Sequence, residues 1–543
     1  MLANATGGTD AVMEYGEMSR KEERQVVLAS TLGTIFEWYD FFIYGSLAVF
    51  MSSVLFPPDN PTAALLAALG ALAAGFVIRP FGAIVFGYLG DSLGRKYTFL
   101  LTVIMMGGST VLVGCLPSYA KAGNLSWILL LCLRLIQGLA VGGEYGGAVV
   151  YVAEHCKPSR RGLLTGWIQI TSSVGLIVSL IVILTTEAIL GMDNFKAWGW
   201  RVPFVGSLVM LVISIYIRSR LHESPVFARM KEQGQLAKNP VRETFLKWPN
   251  LKMILLALVG VTAGQGATYF TGQFYVMIFL QQAVLLDQAS VYKYVVVGFL
   301  IGAPAFIFFG WLSDRIGRKW IMVAGLVLGA LTYRPMFTAL VEVGNPALVA
   351  ASRATPVRLL AAEDTPGCES SLSSLLVGSA SDNAKSCVQA KKYLVSRGIS
   401  FEYATPSAGT AVSLAVNGAV VDGFDKAKYD RALTDAGFPH KADPAKVNSR
   451  ELVLILVAMT IVVAMVYGPV ASYLVELFPP QIRYTALSFP YHIGAGIFGG
   501  VLPFVATYLS IARGNILAGI WYPVTVMALT AIVGACLLPN RRD

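Results

Sequence analysis

Charged side chains are scarce in this chain of 543 residues, where Asp, Glu, Lys and Arg together make up 14%. A soluble domain carries about 25%, so this inventory cannot cover a water-facing surface. Apolar residues reach 55% and gather in runs such as 254–264, 295–310 and 452–466. Each run lies within a stretch close to the ~20 residues that cross a bilayer as a helix. The composition therefore excludes a soluble protein and predicts a membrane protein with many spans.

Residues that bind metals or carry redox chemistry are also few. The chain has four His and six Cys, and no Cys-x-x-Cys pair, so it lacks zinc and redox motifs. No nucleophile–base set is recognisable, which argues against an enzyme, and we predict no cofactor. A net charge of +10 would fit nucleic acid, but the basic residues follow the predicted loops, and we expect no nucleic-acid partner. Residues 1–24 are polar with five acidic side chains, so we expect no cleavable signal peptide.

The apolar runs predict an all-α membrane protein of twelve transmembrane helices. Their predicted bounds are 27–55, 62–90, 97–117, 126–155, 163–188, 199–219, 251–283, 289–313, 319–344, 450–477, 485–511 and 516–538. After a cytoplasmic segment 1–26, one six-helix half occupies 27–219 and a linker follows at 220–250. The second half occupies 251–344 and 450–543, with a polar insertion at 345–449 between its third and fourth helices.

Basic residues concentrate in alternate loops between the predicted helices. One set of loops holds Arg95, Lys96, Arg160, Arg161 and Arg318, whereas the opposite loops hold isolated basic residues. Cytoplasmic loops of membrane proteins are enriched in Lys and Arg. We therefore predict a multi-pass protein of the inner membrane, with both termini cytoplasmic and the insertion periplasmic. The pattern is compatible with a monomer in the lipid bilayer.

A ten-residue pattern occurs twice. Gly87-x3-Asp91-x2-Gly94-Arg95-Lys96 recurs as Gly310-x3-Asp314-x2-Gly317-Arg318-Lys319, at an offset of 223 residues. Glu154 followed by Arg161 recurs as Glu476 followed by Arg483, at an offset of 322. The second offset exceeds the first by 99 residues, which is the approximate length of the insertion. Duplicated six-helix halves with a substrate site between them are typical of transporters.

The repeated loop resembles the signature of the major facilitator superfamily. Four further stretches resemble its metabolite–proton symporter branch: Glu37-Trp38-Tyr39-Asp40-Phe41-Phe42, Arg79-Pro80-Phe81-Gly82, Arg134-Leu135-Ile136-Gln137-Gly138 with Gly142-Gly143-Glu144, and Glu223-Ser224-Pro225-Val226-Phe227. The resemblance covers all twelve predicted helices and leaves the insertion unexplained. It implies alternating-access transport, and the branch includes carriers of 2-oxoglutarate, citrate, shikimate, aromatic acids, and proline or betaine.

Five charged residues fall inside the predicted membrane helices of the first half: Glu37, Asp40, Arg79, Arg134 and Glu144. A charge at that depth costs several kcal/mol, so each one needs a reason. A carboxylate in a low dielectric can load and release protons near neutrality, and a guanidinium grips a carboxylate in bidentate fashion. We therefore predict proton-coupled symport of a small organic acid, a mono- or dicarboxylate. The alternative is that these residues pair with one another and hold the helices together.

Candidate roles follow from this hypothesis. The predicted substrate-binding residues are Arg79, Arg134, Tyr39, Gln137, Gln169, Tyr269 and Tyr491, with Tyr44, Gln273 and His492 as further candidates. The predicted proton-coupling residues are Glu37, Asp40, Arg134 and Glu144. The resemblance implies a gating role for Gly87, Asp91, Gly94, Arg95, Lys96, Glu154, Arg161, Gly310, Asp314, Gly317, Arg318, Lys319, Glu476 and Arg483. Packing, rather than binding, is the other interpretation of the aromatic and amide residues.

The insertion has the composition of a small α/β domain. A strand-like run at 356–362 precedes a helical run at 386–397 and an extended run at 399–404. Asn417-Gly418 between 413–416 and 419–421 is a hairpin signal, and a last helix is expected at 425–436. Cys368 and Cys387 could form a disulfide in an oxidising compartment, or be two unrelated thiols.

Two other functions fit parts of the pattern. A proline- or betaine-type symporter of the same branch would take a zwitterion in place of an organic acid. A membrane sensor would use the insertion as its receptor domain, but the loops on the other side offer no output module.

Overall fold

The computed structural model describes residues 20–57, 61–220, 222–361, 382–404 and 412–540. The described part contains twelve helices or helix series long and apolar enough to span a membrane, which confirms the predicted number. These spans 1–12 are Val26–Leu47, Gly70–Ser92, Arg95–Gly114, Leu125–Glu154, Pro158–Leu190, Arg201–Ser219, Trp248–Gln282, Gln288–Ile316, Arg318–Gly344, Ser449–Leu477, Arg483–Arg513 and Ala518–Leu537. The predicted segment 1–26 lies mostly outside the described residues.

Several spans consist of more than one helical segment. The segments of the first half are Arg20–Leu55, Pro61–Val77, Arg79–Ser92, Arg95–Gly114, Tyr119–Ala122, Leu125–Glu154, Pro158–Arg160, Arg161–Gln169, Thr171–Leu190, Met192–Asn194, Phe195–Gly199 and Arg201–Ser219. Those of the second half are Trp248–Ala257, Leu258–Thr262, Ala263–Tyr269, Phe270–Tyr275, Val276–Gln282, Gln288–Gly302, Pro304–Ile316, Arg318–Gly344, Ser449–Leu477, Arg483–Ile493, Gly494–Gly500, Leu502–Arg513, Ala518–Ile520 and Trp521–Leu537.

The breaks in three spans lie at the middle of the bundle. Span 2 is interrupted at Ile78, because Pro80 has no N–H to continue the helical ladder. Span 7 widens into π-helix at Phe270–Tyr275 and span 11 does so at Gly494–Gly500. Such π-turns are frequent at functional sites. Arg79, Tyr269 and His492 lie directly beside these irregular segments.

The glycines of span 4 allow close contact with span 2. A Cβ on Gly138 or Gly142 would collide with backbone carbonyl groups of Gly75 or Arg79, and one on Gly82 would collide with Leu139. The small-xxx-small spacing therefore serves helix packing. This tight pairing holds Arg79 and Arg134 side by side.

The two halves meet at both ends of the bundle. We call the end that holds the two Gly-x3-Asp loops the motif end, and the opposite end the insertion end. The linker between the halves lies at the motif end and contains helices α1 (Pro225–Glu232) and α2 (Pro240–Leu246). Ser224 caps α1, since its side chain accepts a hydrogen bond from the Phe227 N–H at 3.2 Å.

The insertion begins after span 9 and ends before span 10, and it forms a small α/β unit. Its helices are α3 (Pro346–Ala354), α4 (Asp382–Ser396), α5 (Lys426–Asp435) and a short 3₁₀ turn, Pro444–Lys446. Its strands β1 (Arg358–Leu360), β2 (Glu402–Ala404), β3 (Ser413–Val416) and β4 (Ala419–Asp422) form one sheet in the order β2-β1-β3-β4. Strand β1 pairs in parallel with β2 and antiparallel with β3.

The predicted hairpin of the insertion is present. Asn417 and Gly418 join β3 to β4 and have φ values of 47° and 77°. Both values are positive, as the central residues of a type I′ turn require. Cys387 is buried in α4, whereas Cys368 lies outside the described residues, so their pairing stays a prediction.

The insertion sits on the second half. The Phe401 N–H donates to the Gly514 carbonyl at 2.8 Å, and the Ala442 N–H donates to the Leu285 carbonyl at 3.0 Å. A Cβ on Gly398 would collide with the Ala283 carbonyl. The insertion therefore contacts the ends of spans 7 and 11, whose middles contain the π-turns.

Candidate functional site

A small cavity lies between the two halves near the middle of the bundle. We call it the central cavity. The first half lines it with Trp38, Arg79, Val141 and Tyr145, and the second half with Gln265, Tyr269, Phe270, Tyr491, His492 and Ala495. The structure thus brings together four predicted candidates from both halves: Arg79, Tyr269, Tyr491 and His492.

Arg79 is the charged residue of the central cavity. Its side chain starts the second segment of span 2 and is buried, with 3% exposure. The guanidinium lies 4.2 Å from the ring centroid of Phe76 and 4.7 Å from that of Phe41. Its Nε atom has no hydrogen-bond partner, and no carboxylate of a described residue pairs with it. Cation–π contacts compensate only part of the cost of burying a charge, so Arg79 lacks a counter-anion.

Tyrosine side chains from both halves form the wall of the central cavity. The rings of Tyr145 and Tyr491 are stacked with centroids 3.5 Å apart. The Tyr467 and Tyr491 hydroxyls are 2.6 Å apart. Gln169 donates to the Tyr145 hydroxyl and to the Tyr467 carbonyl, each at 3.0 Å. Gln169 therefore fixes the wall and does not itself line the cavity. The Gln265 Oε1 atom is buried without a partner.

A second small cavity, adjacent to the first, lies within the first half. Arg79, Arg134 and Gln137 all line it, so Arg79 faces both cavities. Arg134 lies 3.4 Å from the ring centroid of Tyr44, and its Nε and Nη2 atoms have no hydrogen-bond partner. Gln137 donates to the Thr110 hydroxyl at 2.7 Å.

Asp40 lies near this adjacent cavity. It is buried, with 6% exposure. Thr110, Ser207 and Arg134 are its polar neighbours, and its Oδ1 atom has no hydrogen-bond partner. The Asp40 carboxyl group and the Arg134 guanidinium thus interact electrostatically within the first half, without an ion pair between them. Such a carboxyl group can exchange a proton while the charge on Arg134 stays.

Three predicted binding residues point elsewhere. The Tyr39 hydroxyl donates to the Pro203 carbonyl at 3.0 Å, which places this ring in the packing between spans 1 and 6. The Tyr44 hydroxyl donates to the Ala68 carbonyl at 3.0 Å. Gln273 accepts from Ser173 at 2.9 Å across the two halves. Tyr39 and Tyr44 thus contribute to packing, and Tyr44 also supports Arg134.

Glu37 and Glu144, both predicted to couple protons, meet at Arg218. Arg218 donates to Glu144 at 2.9 Å and also forms an ion pair with Glu37. The guanidinium lies 3.6 Å from the ring centroid of Phe99. This three-residue group lies toward the motif end, because Arg218 is in the last turn of span 6.

The two Gly-x3-Asp loops connect the halves at the motif end. Asp91 accepts hydrogen bonds from the Thr485 N–H at 3.0 Å and the Tyr484 N–H at 3.3 Å, at the start of span 11. Asp314 accepts from Gly162 N–H at 2.7 Å and Leu163 N–H at 2.8 Å in span 5. Each aspartate therefore caps a helix N-terminus of the other half.

The glycines of the repeat have separate geometric roles. Gly94 and Gly317 occupy equivalent positions with φ of 127° and 97°, a backbone region that favours glycine. A Cβ on Gly87 would lie 2.8 Å from Thr485, and one on Gly310 would lie 2.5 Å from the Gly162 carbonyl oxygen. The first glycine of each loop thus allows the close approach of the opposite half.

Arginine–glutamate pairs surround the two caps. Arg483 pairs with Glu154 at 3.0 Å and Arg161 pairs with Glu476 at 3.1 Å, and both pairs cross between the halves. Arg95 lies 3.0 Å from Asp91 and 3.7 Å from Glu154. In the repeat, Arg318 lies 3.2 Å from Asp314 and also contacts Glu476.

The lysines of the repeat differ from each other. Lys319 donates to the Ala535 and Leu538 carbonyls, each at 2.8 Å, at the end of span 12. Lys96 contacts Glu223 through its backbone N–H at 3.3 Å. Glu223 also accepts from the Arg95 N–H at 3.0 Å, so it caps span 3, and the linker is attached to the motif end of the first half.

Four functional candidates escaped the sequence analysis: Tyr145, Arg218, Gln265 and Tyr467. An arginine in the last turn of a span is usually a group that extends its charge to the surface. The sequence offered one indication of Arg218: Glu37 and Glu144 are carboxyl groups inside predicted spans, and such groups need a cation as a partner. Tyr145 follows Glu144 directly in the Gly142-Gly143-Glu144 motif, whereas no motif pointed to Gln265 or Tyr467.

Comparisons with known proteins agree with this arrangement. A family model described as "Sugar (and other) transporter" matches residues 26–255. The chain is 35% identical to the shikimate transporter of Escherichia coli over 60% of this chain and 75% of that protein. It is 33% identical to the proline/betaine transporter of Salmonella typhimurium over 56% of this chain and 62% of that protein.

A similar fold occurs in the solved proton:xylose symporter XylE, with a TM-score of 0.60 at 15% identity, covering 96% of this chain and 97% of that one. The duplicated motif loops, the cavity between two six-helix halves and the sequence relatives lead to one assignment. The chain is a multi-pass membrane transporter that belongs to the major facilitator superfamily, within its metabolite–proton symporter family.

Proposed function

We propose that this transporter moves a small organic acid together with protons by alternating access, with Arg79 as the substrate anchor. The observation that carries the proposal is the Arg79 guanidinium, which is buried in the central cavity without a carboxylate partner. A carboxylate substrate would supply the missing anion and a bidentate hydrogen bond. The described lining residues of that cavity include no acidic side chain, so an anion is favoured over a cation.

The walls of the central cavity suit a small organic substrate. Trp38, Tyr145, Tyr269 and Tyr491 offer ring faces and edges to the carbon skeleton. Gln265 offers a buried oxygen without a partner, which suits a hydroxyl or amino group on the substrate.

Asp40 and Arg134 are the proposed proton-coupling pair. Asp40 interacts electrostatically with Arg134, and Arg134 shares the adjacent cavity with Arg79. Protonation of Asp40 would increase the net positive charge around that cavity and so favour binding of the anion. Substrate and proton would then load together, as symport requires.

The motif-end contacts are the proposed gate. Asp91, Asp314, Glu154 and Glu476 each bridge the two halves in the described state. Opening that end requires these contacts to break, while the cavity becomes accessible there. From the loop charges we place the motif end in the cytoplasm, the insertion in the periplasm and the protein in the inner membrane.

A zwitterionic substrate is the second candidate. The aromatic walls that suit a ring also suit a quaternary ammonium group, and Arg79 would hold the carboxylate of a betaine. A net-neutral zwitterion would leave Arg79 and its surroundings with the same total charge as the empty site. The organic acid therefore remains the first choice.

The deciding experiment is uptake into proteoliposomes with an imposed pH gradient. The panel contains monocarboxylates, dicarboxylates, proline and glycine betaine. The proposal expects the vesicles to accumulate one class of carboxylate, and it expects Arg79→Gln to lose that uptake. Arg334→Gln is the control and should keep the wild-type rate of uptake, since Arg334 is exposed on span 9. Accumulation of betaine alone would move the assignment to the zwitterion class, and uptake that ignores the Arg79 substitution would remove the anchor role.

A further inference from the structure

Two carboxyl groups share one guanidinium in the first half, outside the substrate cavity. Glu37 of span 1, Glu144 of span 4 and Arg218 of span 6 have side chains that are 12%, 2% and 1% exposed. If both carboxyl groups were ionised, the group would carry a net negative charge inside the membrane. Such an uncompensated buried charge is costly.

The hydrogen-bond pattern around Glu144 leaves one carboxyl oxygen without a donor. The Glu144 Oε1 atom accepts from Arg218 at 2.9 Å, but the buried Glu144 Oε2 atom has no donor. The Glu37 and Glu144 carboxyl groups are close neighbours, because both contact the Arg218 guanidinium. Two ionised carboxylates repel at that separation, whereas a carboxylic acid donates to a carboxylate. One proton would therefore supply the missing donor and also neutralise the excess charge.

We propose that the Glu37–Glu144 pair, positioned by Arg218, binds one proton in the described state and releases it at the motif end when that end opens. This inference rests on the proposed proton coupling and adds a second proton site to it. Glu37 precedes Asp40 by three residues, about one helical turn, on the motif-end side. Asp40 and the pair thus form a short series of carboxyl groups from the cavity toward the motif end.

The charged and titratable neighbours of the pair come from three spans. Arg218 of span 6 contacts Glu144, and Asp40 of span 1 interacts with it electrostatically. Tyr484 of span 11 faces both Glu144 and Arg218, and it also faces Asp91 and Arg95. The described surroundings therefore contain one cation in direct contact with the two carboxyl groups, which leaves the bound proton as the balancing charge.

Tyr484 connects this proton site to the gate. Its hydroxyl donates to the Gly143 carbonyl at 2.6 Å, and its backbone N–H donates to Asp91 at 3.3 Å. Tyr484 belongs to the second half, whereas Gly143, Glu144 and Asp91 belong to the first. When the halves separate at the motif end, Tyr484 must leave Gly143, and water can reach the carboxyl pair. Water stabilises ionised carboxylates, so opening would release the proton on that side.

Infrared difference spectroscopy of the purified transporter in lipid tests the proton directly. The measurement follows the carboxylic-acid C=O band as pH is raised, in an Asp40→Asn background that removes the contribution of Asp40. We expect a pH-dependent band that disappears in both Glu144→Gln and Glu37→Gln, because a single carboxyl group beside Arg218 stays ionised. Glu187→Gln is the matched control, since Glu187 lies in span 5 away from this group, and it should keep the band.

A band of equal amplitude in all three Gln variants would overturn the proposal. The absence of the band in the Asp40→Asn protein, which carries none of the Gln substitutions, would also overturn it. Testing both Glu37→Gln and Glu144→Gln protects the result against misfolding of either variant. Spectra need no substrate, so this outcome is independent of whether an organic acid is transported.

Transport measurements in the Asp40 wild-type background separate coupling from binding. Glu144→Gln should keep substrate counterflow, which needs no net proton movement, and lose accumulation driven by a pH gradient by about tenfold or more. Loss of both activities in a folded variant would indicate a binding role and contradict the proposal. Absence of all transport in the wild type would count against the proposed function, while the infrared result would still stand.

Discussion

Asp91 of span 2 accepts a hydrogen bond from the Thr485 N–H at 3.0 Å, across the boundary between the two halves. Asp314 repeats this relationship with Gly162, at 2.7 Å. An aspartate at a helix N-terminus satisfies N–H groups that have no partner within the helix and interacts favourably with the helix dipole. The duplicated loops therefore close the motif end by two equivalent interdomain caps.

Removal of either cap should open the motif end. Asp91→Ala and Asp314→Ala each delete a charged cap that contributes about 1–2 kcal/mol, which corresponds to a population shift of roughly five- to thirtyfold. Cys156 is a native reporter, because it lies at the motif end and is 3% exposed. We expect faster maleimide labelling of Cys156 in both variants, measured after Cys115, Cys132 and Cys536 have been replaced by Ser.

Asp287→Ala is the matched control for this prediction. Asp287 caps span 8 by accepting from the Ser290 N–H at 2.9 Å, but it does so at the insertion end and within one half. Its loss should leave the labelling rate of Cys156 unchanged. Equal rates in all three variants and the wild type would show that the caps do not hold the gate.

Arg79 should determine substrate affinity. Breaking a buried, hydrogen-bonded charge pair costs about 2–5 kcal/mol, so Arg79→Gln should weaken binding by roughly thirtyfold or more. Arg79→Lys keeps the charge but loses the bidentate geometry, and it should give an intermediate affinity. Calorimetric titration of the substrate found in the uptake panel measures both. Equal affinity in wild type and Arg79→Gln would contradict the anchor role.

The insertion should lose stability at acidic pH through Asp430. Burial raises the pKa of this carboxyl group, but the Tyr393 hydroxyl and the Arg397 guanidinium outweigh burial and hold the pKa below its ordinary value. A lowered folded-state pKa gives stability that is present above the unfolded value of about 3.9 and is lost as the pH falls below it. Hydrogen exchange of α4 and α5, corrected for intrinsic rates, should show reduced protection at low pH.

Asp430→Asn provides the control for the acid effect. The variant should show reduced protection of α4 and α5 already at neutral pH, and a smaller further loss on acidification. If acid reduced protection in the variant as much as in the wild type, another group would be responsible.

The periodic and repeated parts of the molecule were predictable from the sequence. Twelve apolar runs gave the spans, and the Asn417-Gly418 turn located the hairpin, because each depends on local pattern alone. The Gly-x3-Asp loops were identified as equivalent by their repetition. Arg79 was identified because a charge in the middle of an apolar run has no structural explanation within its own helix.

Contacts between distant segments could not be predicted in the same way. Tyr39 belongs to the same motif as Glu37 and Asp40, yet its hydroxyl donates to the Pro203 carbonyl, and the direction in which each face of the helix points could not be read from a single span. Arg218 is ambiguous in sequence, because its partners Glu37 and Glu144 are 181 and 74 residues away. The tyrosine wall likewise depends on spans 4, 10 and 11 meeting at one place.

The central claim is that an organic acid and a proton cross together through the first-half charges. The most direct measurement is the alkalinisation of the medium outside proteoliposomes when each acid of the panel is added without a pH gradient. The orientation of the transporter in the vesicles is determined from the accessibility of the insertion. The account predicts proton uptake on addition of one acid class, abolished in Asp40→Asn, while substrate counterflow persists in that variant. Substrate entry without proton uptake in the wild type, or proton uptake that is unchanged in Asp40→Asn, would contradict it.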